Sequence, residues 1–224
     1  MSRIKATTVF SLFTASLPLA LYVKLYPAMP PEVPIHFDMK GQADRYVSKT
    51  SGEVIFLAAL GLVGWVVFKL IFYFSLRLAA GKGNLKAVQT GKILDLSALC
   101  FTLVMTGISV QALFVQAGGL EFSGTDLSRV CVGLMGVTLV AVGNRMPKLS
   151  RNSLAGLRTR ETLRSDELWF KGQRAAGRAY VAGGLLMLPC CLLPGLWVLY
   201  TAVALFVLAN VVPVVYVKKQ AARL

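Results

Sequence analysis

The side chains best suited to specific recognition are concentrated in one polar segment, residues 144–178, which also carries nine Lys or Arg residues. Its amides, hydroxyls and guanidinium groups belong to Asn144, Asn152, Arg158, Thr159, Thr162 and Arg174. Such groups bind anions, and arginine can hold a carboxylate through two parallel hydrogen bonds. The segment therefore predicts a binding site for an anionic group or a peptide carboxylate.

A charged membrane face is an alternative explanation for many of these residues, because it would fix topology and contact acidic lipid headgroups. We prefer that interpretation for Arg145, Lys148, Arg151, Arg160 and Arg164. Both interpretations stay open for Asn144, Asn152 and Arg158, since positive charge alone does not require asparagine.

The elements that position this segment are membrane spans. Hydrophobic residues make up 56% of the 224 residues, whereas soluble domains contain about 45–50%. The net charge of +14 would suggest a nucleic-acid partner in a soluble protein, but here the basic residues lie between apolar runs, as the positive-inside rule describes. We predict a polytopic membrane protein with no direct nucleic-acid partner.

Six apolar runs predict an all-α fold with six transmembrane helices. They lie at about residues 6–23, 54–76, 93–115, a short run at 129–143, a fifth that continues from a helix starting after Ser165, and 196–217. Placing both termini in the cytoplasm puts eighteen Lys or Arg residues on cytoplasmic segments and five on outer ones, as positive charges require. We expect a single membrane domain over residues 1–224, with an outer loop at 27–53 and a cytoplasmic loop at 144–178.

The outer loop is predicted to be irregular, because four prolines within residues 27–34 remove backbone donors and fix φ. His36 could act as a ligand or a pH switch with Asp38 and Asp44. The spacing of these three residues is a weak metal signal. A histidine that is hydrogen-bonded within the loop is therefore the preferred interpretation.

Two charges fall inside predicted spans. Lys69 lies about two helical turns from the inner end of the second span, and Asp95 begins the third. If the two spans pack together, an ion pair would remove most of the cost of burying each charge. The alternative places Asp95 among the lipid headgroups, facing water.

Signatures of catalysis are missing from the sequence: it has no His-Glu-x-x-His helix, no Gly-x-Ser-x-Gly elbow and no phosphate-binding Gly-x-x-x-x-Gly-Lys-Ser/Thr loop. The four cysteines lie inside apolar runs without zinc-site spacing. We therefore expect neither an enzyme nor a cofactor or metal site.

The polar segment also has an ordered motif. It runs through Gly143-Asn144, Pro147-Lys148, Asn152, Gly156, Arg158-Thr159, Thr162, Trp169 and Arg174, and it resembles the SdpI immunity-protein family. A second block resembles the domain of unknown function that usually precedes this motif; it comprises Tyr26-Pro27, Pro30, Pro34, His36, Gly41, Asp44 and Lys49. Family members usually carry His where this chain has Gln173, which argues against proton transfer or metal binding at that position.

This resemblance implies an integral membrane protein that protects the cell from a secreted, membrane-active peptide toxin. In the family, protection can be coupled to holding a transcriptional repressor at the inner face of the membrane. Anionic inner-leaflet lipids are further expected partners. A transporter of small solutes or lipids, with its site among the inner ends of the spans, is the alternative function.

Overall fold

The computed structural model describes residues 2–38, 42–80, 87–118, 124–152 and 155–223. These residues form seven helices and two strands. The helices are α1 (Ser2–Leu25), α2 (Gly52–Ala80), α3 (Ala87–Gln116), α4 (Gly124–Gly143), α5 (Arg160–Arg164), α6 (Asp166–Cys190) and α7 (Trp197–Ala221). The strands are β1 (Glu32–Phe37) and β2 (Ala43–Ser48), and short 3₁₀ turns lie at Tyr26–Ala28 and Met146–Lys148.

Five stretches of the described chain are long and apolar enough to cross a membrane. They are Ala6–Ala28, Gly52–Ser75, Leu94–Gln116, Ser128–Lys148 and Trp197–Ala221. Large side chains such as Phe13, Phe74 and Val203 are more than half exposed on these helices, as expected where lipid rather than water covers the surface. The predicted mostly helical, multi-pass membrane protein is confirmed.

The fifth predicted span corresponds to α6 (Asp166–Cys190), which is absent from those five stretches because its first half is polar. It nevertheless lies antiparallel to α4 along most of the length of α4. Gly177 contacts Gly143 near one end, and the Cys191 thiol donates to the Arg129 carbonyl near the other, at 3.3 Å. Helix α6 therefore follows α4 across its apolar length without having the composition of a span.

The structure changes one predicted helix start and confirms another. Helix α4 begins at Gly124 rather than at residue 129 and has 20 residues, so the fourth span is not short. Helix α6 begins where predicted, with the Ser165 hydroxyl accepting a hydrogen bond from the Leu168 amide. Residues 81–86 and 119–123 lie outside the described residues.

The prediction of an irregular loop over residues 27–53 was wrong, because β1 and β2 pair there as an antiparallel hairpin. Pro34 lies within β1, opposite Tyr46. A two-stranded sheet has an unpaired edge on each strand, so a proline can occupy a position where its missing N–H is not required. The register shifts immediately after Pro34, so the proline is accommodated by an irregularity in the ladder.

The long helices form two groups. Helices α1, α2 and α3 contact one another and carry the hairpin, while α4, α6 and α7 form the second group. The groups meet mainly through α3 and α4. We call the end of the bundle that carries the hairpin the hairpin end, and the end at which α4 leads into residues 144–165 the motif end.

Candidate functional site

Residues 144–165, the motif loop, lie over the motif end of the second helix group. Their apolar floor consists of the buried side chains of Met146, Leu149, Trp169 and Ala176, with Leu94 of α3 packed against them. Trp169 is fully buried, and its indole N–H donates to the Leu149 carbonyl at 2.8 Å. Trp169 thus anchors the start of the motif loop to α6.

A 3₁₀ turn opens the motif loop and contains Pro147. The proline ring packs onto Gly177 of α6, where a Cβ atom would lie 2.9 Å from the Pro147 Cδ atom and 2.7 Å from the Gly143 carbonyl oxygen. Only glycine permits this approach at position 177. The motif residue Pro147 therefore has a packing role.

Asn152 is also a structural residue of the motif loop. Its side chain is buried, its Nδ2 donates to the Ser150 carbonyl and its Oδ1 accepts from the Ala155 amide, both at 2.8 Å. An amide that bonds to backbone groups on both sides stabilises a turn. These contacts favour a loop-building role for Asn152 over direct ligand binding.

Gln173 of α6 fixes the middle of the motif loop. Its Oε1 accepts from the Leu157 amide at 3.0 Å, and its Nε2 donates to the Leu157 carbonyl at 3.1 Å. Gln173 is fully buried. The preceding Gly156 has φ +109°, and a Cβ atom there would lie 2.6 Å from the Gln173 Oε1 atom. A glycine at position 156 is required both by this backbone conformation and by the close amide.

Thr159 and Thr162 hold the next turn of the motif loop through a reciprocal capping box at the start of α5. The Thr162 hydroxyl also donates to the Leu157 carbonyl at 2.9 Å. Thr162 is fully buried, and its methyl group packs against Gly172 of α6. Both threonines therefore build the loop.

The remaining polar motif residues are exposed. These are Asn144, Lys148, Arg158 and Arg174. Within the described chain, no hydrogen bond or ion pair engages the Arg158 or the Arg174 guanidinium. Arg158 lies directly between two residues whose backbone is fixed, Leu157 and Thr159. Its position is thus held while its head group is free to bind.

Arg151 differs from the surface charge that we expected. Its Nε lies 2.8 Å from the Asp166 carboxylate, and its Nη1 donates to the Leu163 carbonyl at 3.0 Å. It therefore connects the motif loop to α5 and to the start of α6.

The pKa of Glu161, in the first turn of α5, is lowered. The largest cause is a hydrogen bond from Thr159, followed by a backbone hydrogen bond and the charges of Lys218 and Arg164.

The candidate residues of the hairpin make contacts within the hairpin and with its surroundings. His36 Nδ1 lies 2.6 Å from Asp44 Oδ1 on an exposed surface, and Asp38 Oδ1 accepts from the Gln42 amide at 2.8 Å. Lys49 donates to the Met29 carbonyl at 3.0 Å and lies over the Tyr26 ring. The Pro34 carbonyl accepts from Gln116 of α3 at 3.4 Å.

These contacts hold the hairpin closed and seat it on the first helix group. In the part of the chain that the structure describes, no three His, Cys, Asp or Glu side chains are grouped to hold a metal ion. Gly41, the remaining hairpin candidate, lies outside the described residues.

The intramembrane charges form an ion pair. Lys69 Nζ of α2 lies 2.7 Å from Asp95 Oδ1 of α3 and 3.4 Å from the Thr8 hydroxyl of α1. These two contacts join the three helices. Asp95 is buried, with 6% of its surface exposed. The adjacent Leu94 packs against the floor of the motif loop, so α3 connects the ion pair to that floor, whereas the hairpin candidates lie at the opposite end.

Two functionally informative features were not recognised in the sequence. The first is the pair of hydrogen bonds between Gln173 and Leu157, which are 16 residues apart in the chain. No periodic sequence pattern predicts such a contact. The second feature is a Tyr180 hydroxyl that donates to Asn210 Oδ1 at 2.8 Å and links α6 to α7. A polar residue within an apolar span, as Asn210 is, was the only available signal.

Comparisons with known proteins identify sequences to which this chain is similar. Residues 148–217 match the SdpI/YfhL protein family, and residues 13–62 match a domain of unknown function, DUF1648. The chain is 27% identical over 205 residues to the protein named Immunity protein SdpI from Bacillus subtilis (strain 168), an alignment that covers 91% of this chain and 90% of the relative. No solved structure matches the chain. The resemblance identified from the motif residues is confirmed.

Proposed function

Because this chain carries the SdpI-family region together with the domain that precedes it, we propose that it is a non-enzymatic membrane immunity protein. It protects the cell against a secreted peptide toxin that acts on the membrane. The observation that carries this proposal is the similarity to an immunity protein over nearly the full length of both chains. Similarity of that extent includes both helix groups, the hairpin and the motif loop.

The proposed binding site is the motif loop with the adjacent part of α6, where Arg158 of the loop and Arg174 of α6 contact a partner. Asn152, Thr159 and Thr162 form the frame and are satisfied by the chain itself. A guanidinium group on a fixed backbone loses less conformational freedom on binding than one on a mobile loop. An anionic group, such as a peptide carboxylate, is the ligand that this chemistry suits.

We place the motif end in the cytoplasm, with six spans and both termini inside. The excess of positive residues at that end supports this orientation, and the antiparallel course of α6 beside α4 supports a sixth span. Cysteines introduced in place of the exposed Arg160 and Tyr46, in a variant without the native four cysteines, test the orientation. An impermeant thiol reagent applied to intact cells should modify position 46 and not position 160. The reverse labelling would overturn the topology.

Two partners of the motif loop follow from this placement. Arg145, Lys148, Arg160 and Arg164 are exposed and suit anionic headgroups of the inner leaflet. A transcriptional repressor held at the membrane would meet the same surface, where complementary charge would assist its recruitment. Co-purification of a regulator with the wild-type chain, and its loss after Arg158→Ala, would support repressor retention.

The toxin role is tested by complementation. The chain is expressed in Bacillus subtilis strain 168 from which the gene for the relative has been removed, and these cells are exposed to spent medium of the parent strain. We expect growth with this chain and inhibition with an empty vector. Inhibition in both cultures, at equal expression of the chain, would overturn the proposed function.

Transport of a small solute or lipid is the second candidate, and the division into two groups of three long helices favours it, because many transporters consist of two such repeats. Proteoliposomes distinguish the two functions. Movement of solute or lipid that depends on Arg158 would support transport, whereas protection without flux would support immunity.

A further inference from the structure

Gln111 of α3 is a buried amide that the described protein leaves unused. Only 8% of its surface is exposed, and neither its Nε2 nor its Oε1 has a hydrogen-bond partner. Buried polar groups in proteins are almost always paired, because an unpaired one retains the cost of losing water. In an apolar span this cost is greater, since lipid offers no replacement partner. The unpaired state of Gln111 therefore requires an explanation.

The same chain shows what a buried glutamine can bind. Gln173 uses its donor and its acceptor together to hold the N–H and C=O of one residue, Leu157. Gln111 offers the same pair of groups with both unoccupied. This molecule therefore already contains one primary amide that binds a backbone peptide group, and the bound peptide group belongs to its own motif loop.

Gln111 lies where the two helix groups meet. One turn before it on α3, Gly107 packs against α4, so that a Cβ atom there would lie 2.7 Å from Leu134 and 3.9 Å from Val130. Residues four apart share a helix face, which places Gln111 on the side of α3 that faces α4. The direction of α3, from Asp95 to the hairpin contact of Gln116, puts Gln111 in the half nearer the hairpin end.

We propose that Gln111 binds a backbone peptide group of the toxin, at the crossing of α3 and α4. This inference rests on the proposed immunity function and adds a contact with the peptide backbone, within the membrane, to the carboxylate contact proposed at the motif end. A neutral amide that presents an N–H donor beside a carbonyl acceptor selects a ligand with the complementary pair, which a peptide backbone supplies and a simple anion or cation does not. Binding requires α3 and α4 to separate at the hairpin end. The Gly107 contact, one turn nearer the motif end, keeps the two helices together.

The test uses Gln111→Leu, which removes the donor and the acceptor of the amide and leaves an apolar side chain of similar size. If Gln111 is empty in the resting protein, this variant should keep or raise the thermal unfolding midpoint in detergent, because no native hydrogen bond is lost. Gln173→Leu is the matched control: it should lower the midpoint, since it breaks bonds that the resting protein makes. Gln111→Met provides a second apolar replacement in case leucine distorts the contact.

Function is measured in the complementation strain described above, with spent medium of Bacillus subtilis strain 168 as the probe. We expect Gln111→Leu and Gln111→Met to lower the tolerated dose of medium by about tenfold or more, the factor that corresponds to one or two lost hydrogen bonds. Loss of protection at an unchanged or raised midpoint supports the inference.

Two results would overturn it. Full protection by Gln111→Leu would show that the peptide does not use this amide, while the immunity function itself would stand. A lowered unfolding midpoint would show that the amide is bonded in the resting protein, for example to a structural water. If the wild-type chain itself gives no protection, the proposed function fails and this inference fails with it.

Discussion

The two helix groups are held together by different kinds of interaction. Lipid gives helices no hydrophobic reason to associate, so they are held by close packing or by hydrogen bonds. In the first group, Ser109 donates to the Leu57 carbonyl at 2.7 Å, and Trp65 donates to Ser11 at 2.8 Å. The Lys69–Asp95 ion pair joins the same helices. Side-chain polarity thus specifies how α1, α2 and α3 fit together.

The second group relies on backbone proximity between α4 and α6. Gly136 faces Gly184 and Gly143 faces Gly177, seven residues apart on each helix, and a Cβ atom at Gly184 would lie 2.5 Å from the Gly136 carbonyl oxygen. This packing keeps α6 against α4 although the first half of α6 is polar. The difference suggests that the first group is sensitive to loss of a charge, whereas the second is sensitive to added volume.

The largest effect on stability is expected for the ion pair of the first group. Asp95→Ala leaves the Lys69 ammonium without its partner at a site where it is 21% exposed, and such losses cost about 3–5 kcal/mol. The double variant Lys69→Ala/Asp95→Ala should lose less than either single variant, because it leaves no unpaired charge. Thermal unfolding of all three proteins in detergent measures the coupling. Additive losses would contradict it.

A somewhat smaller loss, about 3 kcal/mol, is expected for Gly184→Ala in the second group, because the new methyl group forces two backbones apart. In the first group, a Cβ atom at Gly61 would lie 3.0 Å from the Thr106 hydroxyl, which is a side chain that can move, so Gly61→Ala should cost less. Gly52→Ala is the control without a clash, since nothing lies within 4 Å. Equal unfolding midpoints for the variants at positions 61 and 184 would remove the distinction between the groups.

Gln173→Leu should destabilise the second group by about 1–3 kcal/mol, because it leaves the half-buried Leu157 amide without an acceptor. The Leu157 carbonyl keeps its bond from Thr162, so the loss is limited. Proteolysis of the motif loop, followed over time, should become faster in the variant. An unchanged cleavage rate would mean that Trp169 and the threonines hold the loop without Gln173.

Much of this fold could be predicted from composition and charge. The runs around α2, α3 and α7 are long and strongly apolar, so these three spans were placed to within a few residues. The hairpin was missed because proline was taken only as a breaker, whereas one edge of a two-stranded sheet does not need the proline N–H. Helix α4 was started too late, since its polar first turn with Asp126 is favourable at a helix N-terminus but reads as loop.

The motif residues were predicted as one set, and the structure divides them. Asn152 and Thr162 are buried and bonded to the loop, whereas Arg158 and Arg174 are exposed. Residue type cannot make this division, because an amide or hydroxyl can build a turn as readily as bind a ligand. Gln173 illustrates the same limit: it was considered only as a departure from histidine, and its role depends on a loop that folds back onto α6.

The smallest effect on stability, and the sharpest one on function, is expected at Arg158. Arg158→Lys keeps the positive charge, and since no contact of the guanidinium exists in the described protein, the free energy of unfolding should change by less than about 0.5 kcal/mol. It removes the planar fork that binds a carboxylate through two hydrogen bonds. Protection in the complementation strain should therefore be lost while membrane insertion and the unfolding midpoint are retained. Arg160→Lys is the matched control, because Arg160 is exposed, lies two residues along the chain and is assigned to lipid headgroups, and it should protect like the wild type. Equal and mild effects at both positions would mean that the motif loop acts only as a basic surface, and recognition of the toxin would then rest on the hairpin end, at Gln111 and around His36.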